Sequence, residues 1–347
     1  MKKLFVLVFV LVMFASQAFG FNGTVQWQFR GDATITSGVA VSENILLFGD
    51  VTGKFYALNK NTGSVIWTKI GTHYTVCGTP SVTSNGNVIF AQEDGTITCL
   101  KISDGSKVWI YGNRDENNSN EALSDGVASG GEKIFAAKSD AKLYAHDENS
   151  GKVLWTFAAG EQGLRTAPAY SDGLVFLGEY DGLFDIIDAS NGKRLNGGGS
   201  GGAINTPVIK NGVVYFSSWD GSVNAVKIKA VIPLWNVNVG DPITTSLTLS
   251  DEIAVVGTGR GNIVALNIKD GSIMWKYETQ SGEISANPLI GDGVVVAGAS
   301  QGNVFVFDAK TGGARHTIKG LNGMSTNGVY SEGTFYFVSS GEVCAVK

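Results

Sequence analysis

Hydrophobic and polar positions fall into short bursts that repeat along the chain. One stretch reads "GTPSVTS", "NVIFAQE", "TITCLKI" and "KVWIYG" between Gly78 and Gly112. Each burst is six or seven residues, β-branched or alternating, and bounded by turn residues, which is the pattern of a β-strand. The breaks before its third and fourth strands are Asp94-Gly95 and Asp104-Gly105. Asx-Gly pairs suit tight hairpins because glycine enters the left-handed region freely. Four antiparallel strands joined by tight turns are therefore predicted here.

The unit recurs. "ALNKNTGSVIW" (Ala57–Trp67) returns as "ALNIKDGSIMW" (Ala265–Trp275). Trp27, Trp67, Trp109, Trp155, Trp235 and Trp275 are spaced by about forty residues, apart from one gap of about eighty. A step of forty into that gap puts Leu195 in the tryptophan slot, and one more step beyond Trp275 puts Arg315 there. Gly53, Gly95, Gly182, Gly221, Gly261, Gly302 and Gly341, with Ala141, mark the turn before each third strand. That makes eight copies of about forty residues, the size of a four-stranded propeller blade. The predicted fold is all-β: an eight-bladed β-propeller of four-stranded antiparallel blades over residues 21–347. The last copy, "GEVCAVK", stops after its third strand, and "TVQWQF" near the start has no blade before it. The N-terminal strand is expected to complete the last blade, leaving no open seam.

Composition agrees with many tight turns, with 47 glycines against 6 prolines. Residues 1–20 read as a signal peptide. Lys2 and Lys3 precede the apolar run Leu4–Phe14, and cleavage is expected after Ala18 or Gly20. The run is short for a membrane span. An exported protein, periplasmic or extracellular, is expected, with no lipobox cysteine. Its formal charge of −5 becomes −7 once the two leader lysines are gone, which removes nucleic acid as a partner. Cys77 and Cys99 fall on the first and third strands of one blade, two strand spacings apart and beyond disulfide reach. With Cys344 in the last blade, three free thiols are expected. The only histidines, His73, His146 and His316, show no metal-ligand spacing with these cysteines.

The pattern Ala-Leu-(Asp/Asn)-x-x-(Thr/Asp)-Gly-x-x-x-Trp resembles the repeat of the pyrroloquinoline-quinone (PQQ) propeller family, across the whole of 21–347. The resemblance implies a propeller in which the tryptophan packs between blades. It implies two kinds of function. Some members are quinoprotein dehydrogenases that bind PQQ and calcium. Others are non-enzymatic scaffolds, such as the lipoprotein of the outer-membrane β-barrel assembly machine. The dehydrogenases carry an adjacent cysteine pair and long insertions, and this sequence has neither; no cofactor is expected. The chain resembles the scaffold members more. The run "GGGSGG" at 197–202 matches G-x-G-x-x-G but precedes a strand instead of opening a helix, so it is read as a flexible connection.

Function is sought in the loops where copies differ. Second-to-third turns and fourth-to-first crossovers share one face. That face should carry His73, Tyr74, Glu161, Arg165, Tyr180, Trp219 and Arg260, with Asp125 nearby; the longest crossover is Tyr111–Leu123. Thr79, Asp125, Ala167, Thr206, Ser246, Asn287, Asn327 and Ser37 are expected to line the channel. A protein-binding or assembly scaffold of the cell envelope is the expected role. The alternatives are a small-molecule or glycan binder, and a PQQ-dependent oxidoreductase.

Overall fold

The computed structural model describes residues 21–112, 123, 126–160, 163–164, 166–299 and 301–347. The proposed leader, 1–20, and Asp125, Glu161 and Arg165 lie outside the described residues. Every sheet has four antiparallel strands, and eight sheets form the ring. Blade one runs outward through Ala40–Ser42, Ile45–Gly49, Lys54–Asn59 and Val65–Ile70. Blade four is Ala169–Ser171, Leu174–Gly178, Leu183–Asp188 and Arg194–Gly199. Blade five is Val208–Lys210, Val213–Ser217, Ser222–Lys227 and Ile232–Asn238. No helix among the described residues is long and apolar enough to cross a membrane.

The second strand of each blade is an unbroken apolar run, such as ILLF, VIFA or VVVA, because neighbouring blades cover both of its faces. The core is a set of layers between blades. One layer joins Leu46, Phe48, Tyr56 and Leu58 of blade one to Tyr336, Val338, Val343 and Ala345 of blade eight. Outer strands are largely exposed instead, as in Val65–Ile70, where Trp67 alone is buried.

The repeated phrase forms a lock between consecutive blades. Each indole Nε1–H donates to a backbone carbonyl just past the next blade's third strand. Trp27 donates to Lys60 at 3.1 Å, Trp67 to Ile102 at 2.7 Å and Trp109 to Glu148 at 2.9 Å. Trp155, Trp235 and Trp275 do the same to Ala189, Ile268 and Ala309. The indole ring lies on the turn glycine of that next blade. A methyl group on Gly63, Gly105, Gly151, Gly192, Gly271 or Gly312 would sit 2.5–2.8 Å from ring or neighbouring atoms. Glycine is therefore required twice over at these turns, for its positive φ and for the ring above it.

Counting along the strand register corrects two slots. Trp67 pairs with Ala57, and the equivalent pairs are Ile186 with Asn196 and Val306 with His316. The tryptophan slots of blades four and seven therefore hold Asn196 and His316, not Leu195 and Arg315. A one-residue step reverses the face of a strand; Leu195 points to solvent, 55% exposed. The seam between blades four and five has lost both halves of the lock. Opposite Asn196 the glycine slot holds Val231, with φ +50°, and Val231 packs on the layer containing Phe176, Ile186 and Ile228. A β-branched residue in the left-handed region is strained. It is tolerated where no indole needs the space.

Closure uses the same device. Val25–Phe29 pairs with Glu342–Val346, placing Trp27 opposite Ala345. Thr24 and Lys347 exchange backbone hydrogen bonds, each 2.9 Å. Gly23, at φ +69°, lies against the ring of His316, and Phe21 packs edge-on to Phe335 at 5.0 Å.

Two outcomes follow from these seams. Deleting residues 21–29 strips one strand and the Trp27 lock, and should lower the melting temperature by more than about 10 °C or cause aggregation; unchanged melting would contradict closure. Asn196→Trp with Val231→Gly should restore the missing lock. The double variant is expected to exceed the sum of the two single changes by about 1 kcal/mol or more in a double-mutant cycle of denaturant unfolding.

Candidate functional site

The loop face is stiffened where second-to-third turns are stitched to the crossovers entering their own blades, as in blades one, two, five and six. Val51 N–H donates to Thr34 O, Glu93 to Thr75, Trp219 to Ala203 and Gly259 to Pro242, at 2.9–3.0 Å. Within the turns, Asp94, Asp181 and Asp220 each accept from the backbone N–H two residues on. The side chains carried on these turns therefore project from a fixed backbone.

Beneath the turns, buried polar side chains end the second strands of blades one to six and eight: Asp50, Gln92, Lys138, Glu179, Ser218, Thr258 and Ser339; blade seven has Ala299 there. Each solves a local problem. Asp50 accepts from Thr52, Lys54 and Tyr56. Gln92 holds the first crossover through Tyr74 O and Thr72 N–H. Lys138 donates to Gly95 O and sits over the rings of Tyr111 and Tyr144, 4.9 and 5.1 Å from their centroids. Tyr111 also packs edge-on to His146, whose burial holds its pKa down at about 4.

Tyr180 and Trp219 are brought together. With Thr166, Gly178, Glu179, Ala203, Ile204 and Asn205 they line a 210 Å³ cleft between blades four and five. Trp219 is 54% exposed and Tyr180 is 40% exposed, so the aromatics form the rim. Trp219 Nε1–H donates to Asn205 Oδ1 at 3.3 Å, and the Asn205 amide donates to Ser217 Oγ and Ile243 O. Glu179 is buried, 3% exposed, and accepts from Gly160 N–H at 2.9 Å. Burial raises its pKa to about 7 despite the Gly160 hydrogen bond, with Asp185 and Asp181 adding to the rise.

The glycine run at 197–202 is a packed element, not a flexible connection. Gly197–Gly199 end the outer strand of blade four, and Gly201 and Gly202 press on Asp220 of blade five. A side chain at Gly197 would collide with the Arg194–Asp185 ion pair, which closes to 2.5 Å.

The other expected residues are dispersed around the same face. Arg260 pairs with buried Asp241 at 3.2 Å, which Lys276 also contacts at 3.1 Å, and the Arg260 side chain stays 74% exposed. His73 and Tyr74 are exposed on the crossover into blade two, His73 at φ +68°. In the channel, Asn287 and Asn327 clasp successive blades by accepting from Ser246 N–H and Asn287 N–H. Ser37 does not line it: its side chain is fully buried and accepts from Gly49 N–H, and Gly38 fills the lining slot beside Thr79. Cys77, Cys99 and Cys344 are free thiols, and burial pushes Cys99 up to about 12. No cluster among the described residues could hold a metal ion.

The sequence reading missed Glu179, Asn205 and Thr166. Of these only Glu179 carried a visible signal, a polar residue closing an otherwise apolar second strand, while Thr166 and Asn205 lie on crossovers. Glu179 gives a pH-dependent outcome. Its folded pKa lies above the ordinary carboxylate value, so its contribution is present at low pH and is lost as pH rises through about 7. Glu179→Gln should melt higher than the parent at pH 8, by about 2–4 °C, and the gap should shrink at pH 5. A gap independent of pH would show that Glu179 is ionised throughout.

The family profile described as "Outer membrane protein assembly factor BamB" matches residues 16–121, 114–196 and 197–347. A protein of that name from Moranella endobia is 27% identical over 256 residues, 66% of this chain and 63% of its own length. The Yersinia pestis protein of that name is 24% identical over 218 residues, 56% of this chain and 55% of its own. The matches therefore span between half and two thirds of those relatives. A tetrathionate hydrolase from Acidithiobacillus ferrooxidans is 27% identical over 247 residues, 62% of this chain and 48% of that one. The crystal structure of BamB from Moraxella catarrhalis superposes with a TM-score of 0.79 at 17% identity, covering 93% of this chain and 98% of that one. The computationally designed Ika8 protein does so equally well, at 0.79 and 20% identity over 94% and 99%. The structural likenesses show the fold alone.

Proposed function

The chain belongs to the outer membrane protein assembly factor BamB family, and from that membership we propose that it is a non-catalytic scaffold of the cell envelope that holds another protein on its loop face. Export by residues 1–20 is part of the proposal. The observation that carries it is the set of exposed aromatic and cationic side chains, Tyr180, Trp219 and Arg260 on the turns and Tyr74 on the crossover into blade two, raised on backbones held by hydrogen bonds. Aromatic and arginine side chains dominate the energetics of protein interfaces, and a rigid backbone lowers the entropy lost on docking. His73, Asp125 and Arg165 belong to the same proposed face. The blade-docking tryptophans take no part, since their rings are committed to the neighbouring blades.

The chain, immobilised and exposed to envelope extract, should retain a stoichiometric protein. Tyr74→Ala, Trp219→Ala and Arg260→Ala together should weaken that capture at least about tenfold with melting unchanged; undiminished capture would place the partner elsewhere. PQQ with calcium should give neither a chromophore nor a thermal shift. A positive result there would move the protein to the quinoprotein branch of the repeat family.

A further inference from the structure

We propose that the outer edge of blade three, Val153–Ala158, is a docking strand for an extended, uncharged segment of a partner protein. The edge lies on the perimeter of the ring, so this goes beyond the loop-face reading and either can fail alone. An outer strand pairs with its own blade on one side and leaves a row of backbone groups open on the other. Such edges are ordinarily blunted by charge, proline or brevity. Lys69, Lys107, Arg194, Pro233, Lys276 and Arg315 stand in the outer strands of blades one, two, four, five, six and seven, and that of blade eight carries two glutamines. Among the eight outer strands, VLWTFA of blade three alone has no charge, amide, proline or glycine.

The register selects the occupant. Ala159 N–H donates to Ala141 O, and Lys142 O is turned the other way, accepting from Lys138 N–H of the second strand. Lys142 pairs with Ala158, and Tyr144 with Thr156. Antiparallel bonding alternates along a strand, so Trp155 and Phe157 bond the blade while Thr156 and Ala158 turn their N–H and C=O outward. Both are exposed. Two donors and two acceptors at this spacing are met together by an extended backbone. Side chains set what that backbone carries. Trp155 and Phe157 pack with Ile187 of blade four, and Leu183, on the same side of its strand as Ile187, is 47% exposed. That flank favours an apolar residue, since a charge there would lose water and gain no partner. Thr156 and Ala158 face the opposite, open flank, so the segment should alternate apolar with small polar residues. A second copy of this chain could pair only along this short edge, well short of the roughly 1,200 Å² buried in a stable dimer.

The test uses the full chain and the deuterium exchange of the Thr156 and Ala158 amides, followed in proton–nitrogen NMR spectra. Acetyl-Thr-Val-Thr-Val-Thr-amide at millimolar concentration should slow both about threefold or more. Acetyl-Thr-Val-Pro-Pro-Thr-amide, whose adjacent prolines block both of its edges, should not. Thr156→Lys with Ala158→Glu gives blade three the residues that blade six holds in the same register, Lys276 and Glu278. This variant should melt as the parent does and bind the peptide at least about tenfold more weakly. Thr68→Lys with Ile70→Glu, the same change in blade one, should leave binding intact. So should Trp219→Ala, which separates this edge from the loop face. Unslowed exchange, protection by the proline peptide, or undiminished binding by the blade-three variant would each overturn the site. Dimerisation of the chain alone, lost in that variant, would make a second copy the occupant and overturn the partner reading.

Discussion

The ring depends on one contact, repeated: an indole from one blade lying on a glycine of the next and donating to a carbonyl beside it. The contact is directional. Each tryptophan reaches forward to the following blade, so every lock joins two units that are about thirty-five residues apart in sequence. It also couples three demands in a single short phrase. The glycine turn needs a positive φ, the ring needs an absent side chain, and the indole N–H needs an acceptor that the turn leaves exposed. Because the three are met together, changing any one removes the others' purpose. This is why the phrase returns almost verbatim at Ala57–Trp67 and Ala265–Trp275.

At the seam between blades four and five both halves of the lock have gone, whereas between blades seven and eight His316 replaces the indole and Gly23 is kept. Asn196 stands in the indole position and Val231 in the glycine position. Neither substitution makes sense alone, since a valine under an indole would collide and a glycine under an asparagine would leave a gap. The same seam gathers the glycine run, the buried acids Glu179 and Asp185, and the aromatic cleft. Two buried polar atoms without a hydrogen-bond partner, Thr166 Oγ1 and Asp185 Oδ1, belong to blade four, and others lie elsewhere in the ring, at Thr98, His146 and His316 among them.

The ring was legible in the sequence because its determinants are local. Period, turn glycines, apolar second strands and the unfinished last copy all lie within one forty-residue unit and its neighbours. The one-residue error at Leu195 and Arg315 came from measuring between tryptophans. The spacing that the structure keeps is four residues from turn glycine to ring: Gly192 to Asn196, Gly312 to His316, and Gly23 to Trp27. Ser37 slipped for a similar reason, since its neighbour Gly38 takes the lining slot. The cleft was only half legible. Tyr180 and Trp219 were visible as aromatics at turns. Thr166, Glu179 and Asn205 draw their meaning from burial between two blades, which no local pattern encodes.

A shared fold does not explain what this protein does, because the natural BamB of Moraxella catarrhalis and a designed propeller match it equally well in shape. Whatever separates a working scaffold from a bare ring must lie in what the repeat does not require. The lock fixes glycine and tryptophan, and the core fixes the second strands. It leaves the turn residues free: Val51, Glu93, Ser139, Tyr180, Trp219 and Gly259 occupy one equivalent position and share no chemistry. Only at blades four and five do two of these adjacent positions carry large rings, and they overhang the only seam between described blades that has lost its glycine to a bulky side chain. Identity in the frame and divergence at that pair mark the blade four–five seam as the place where the ring departs furthest from its own repeat.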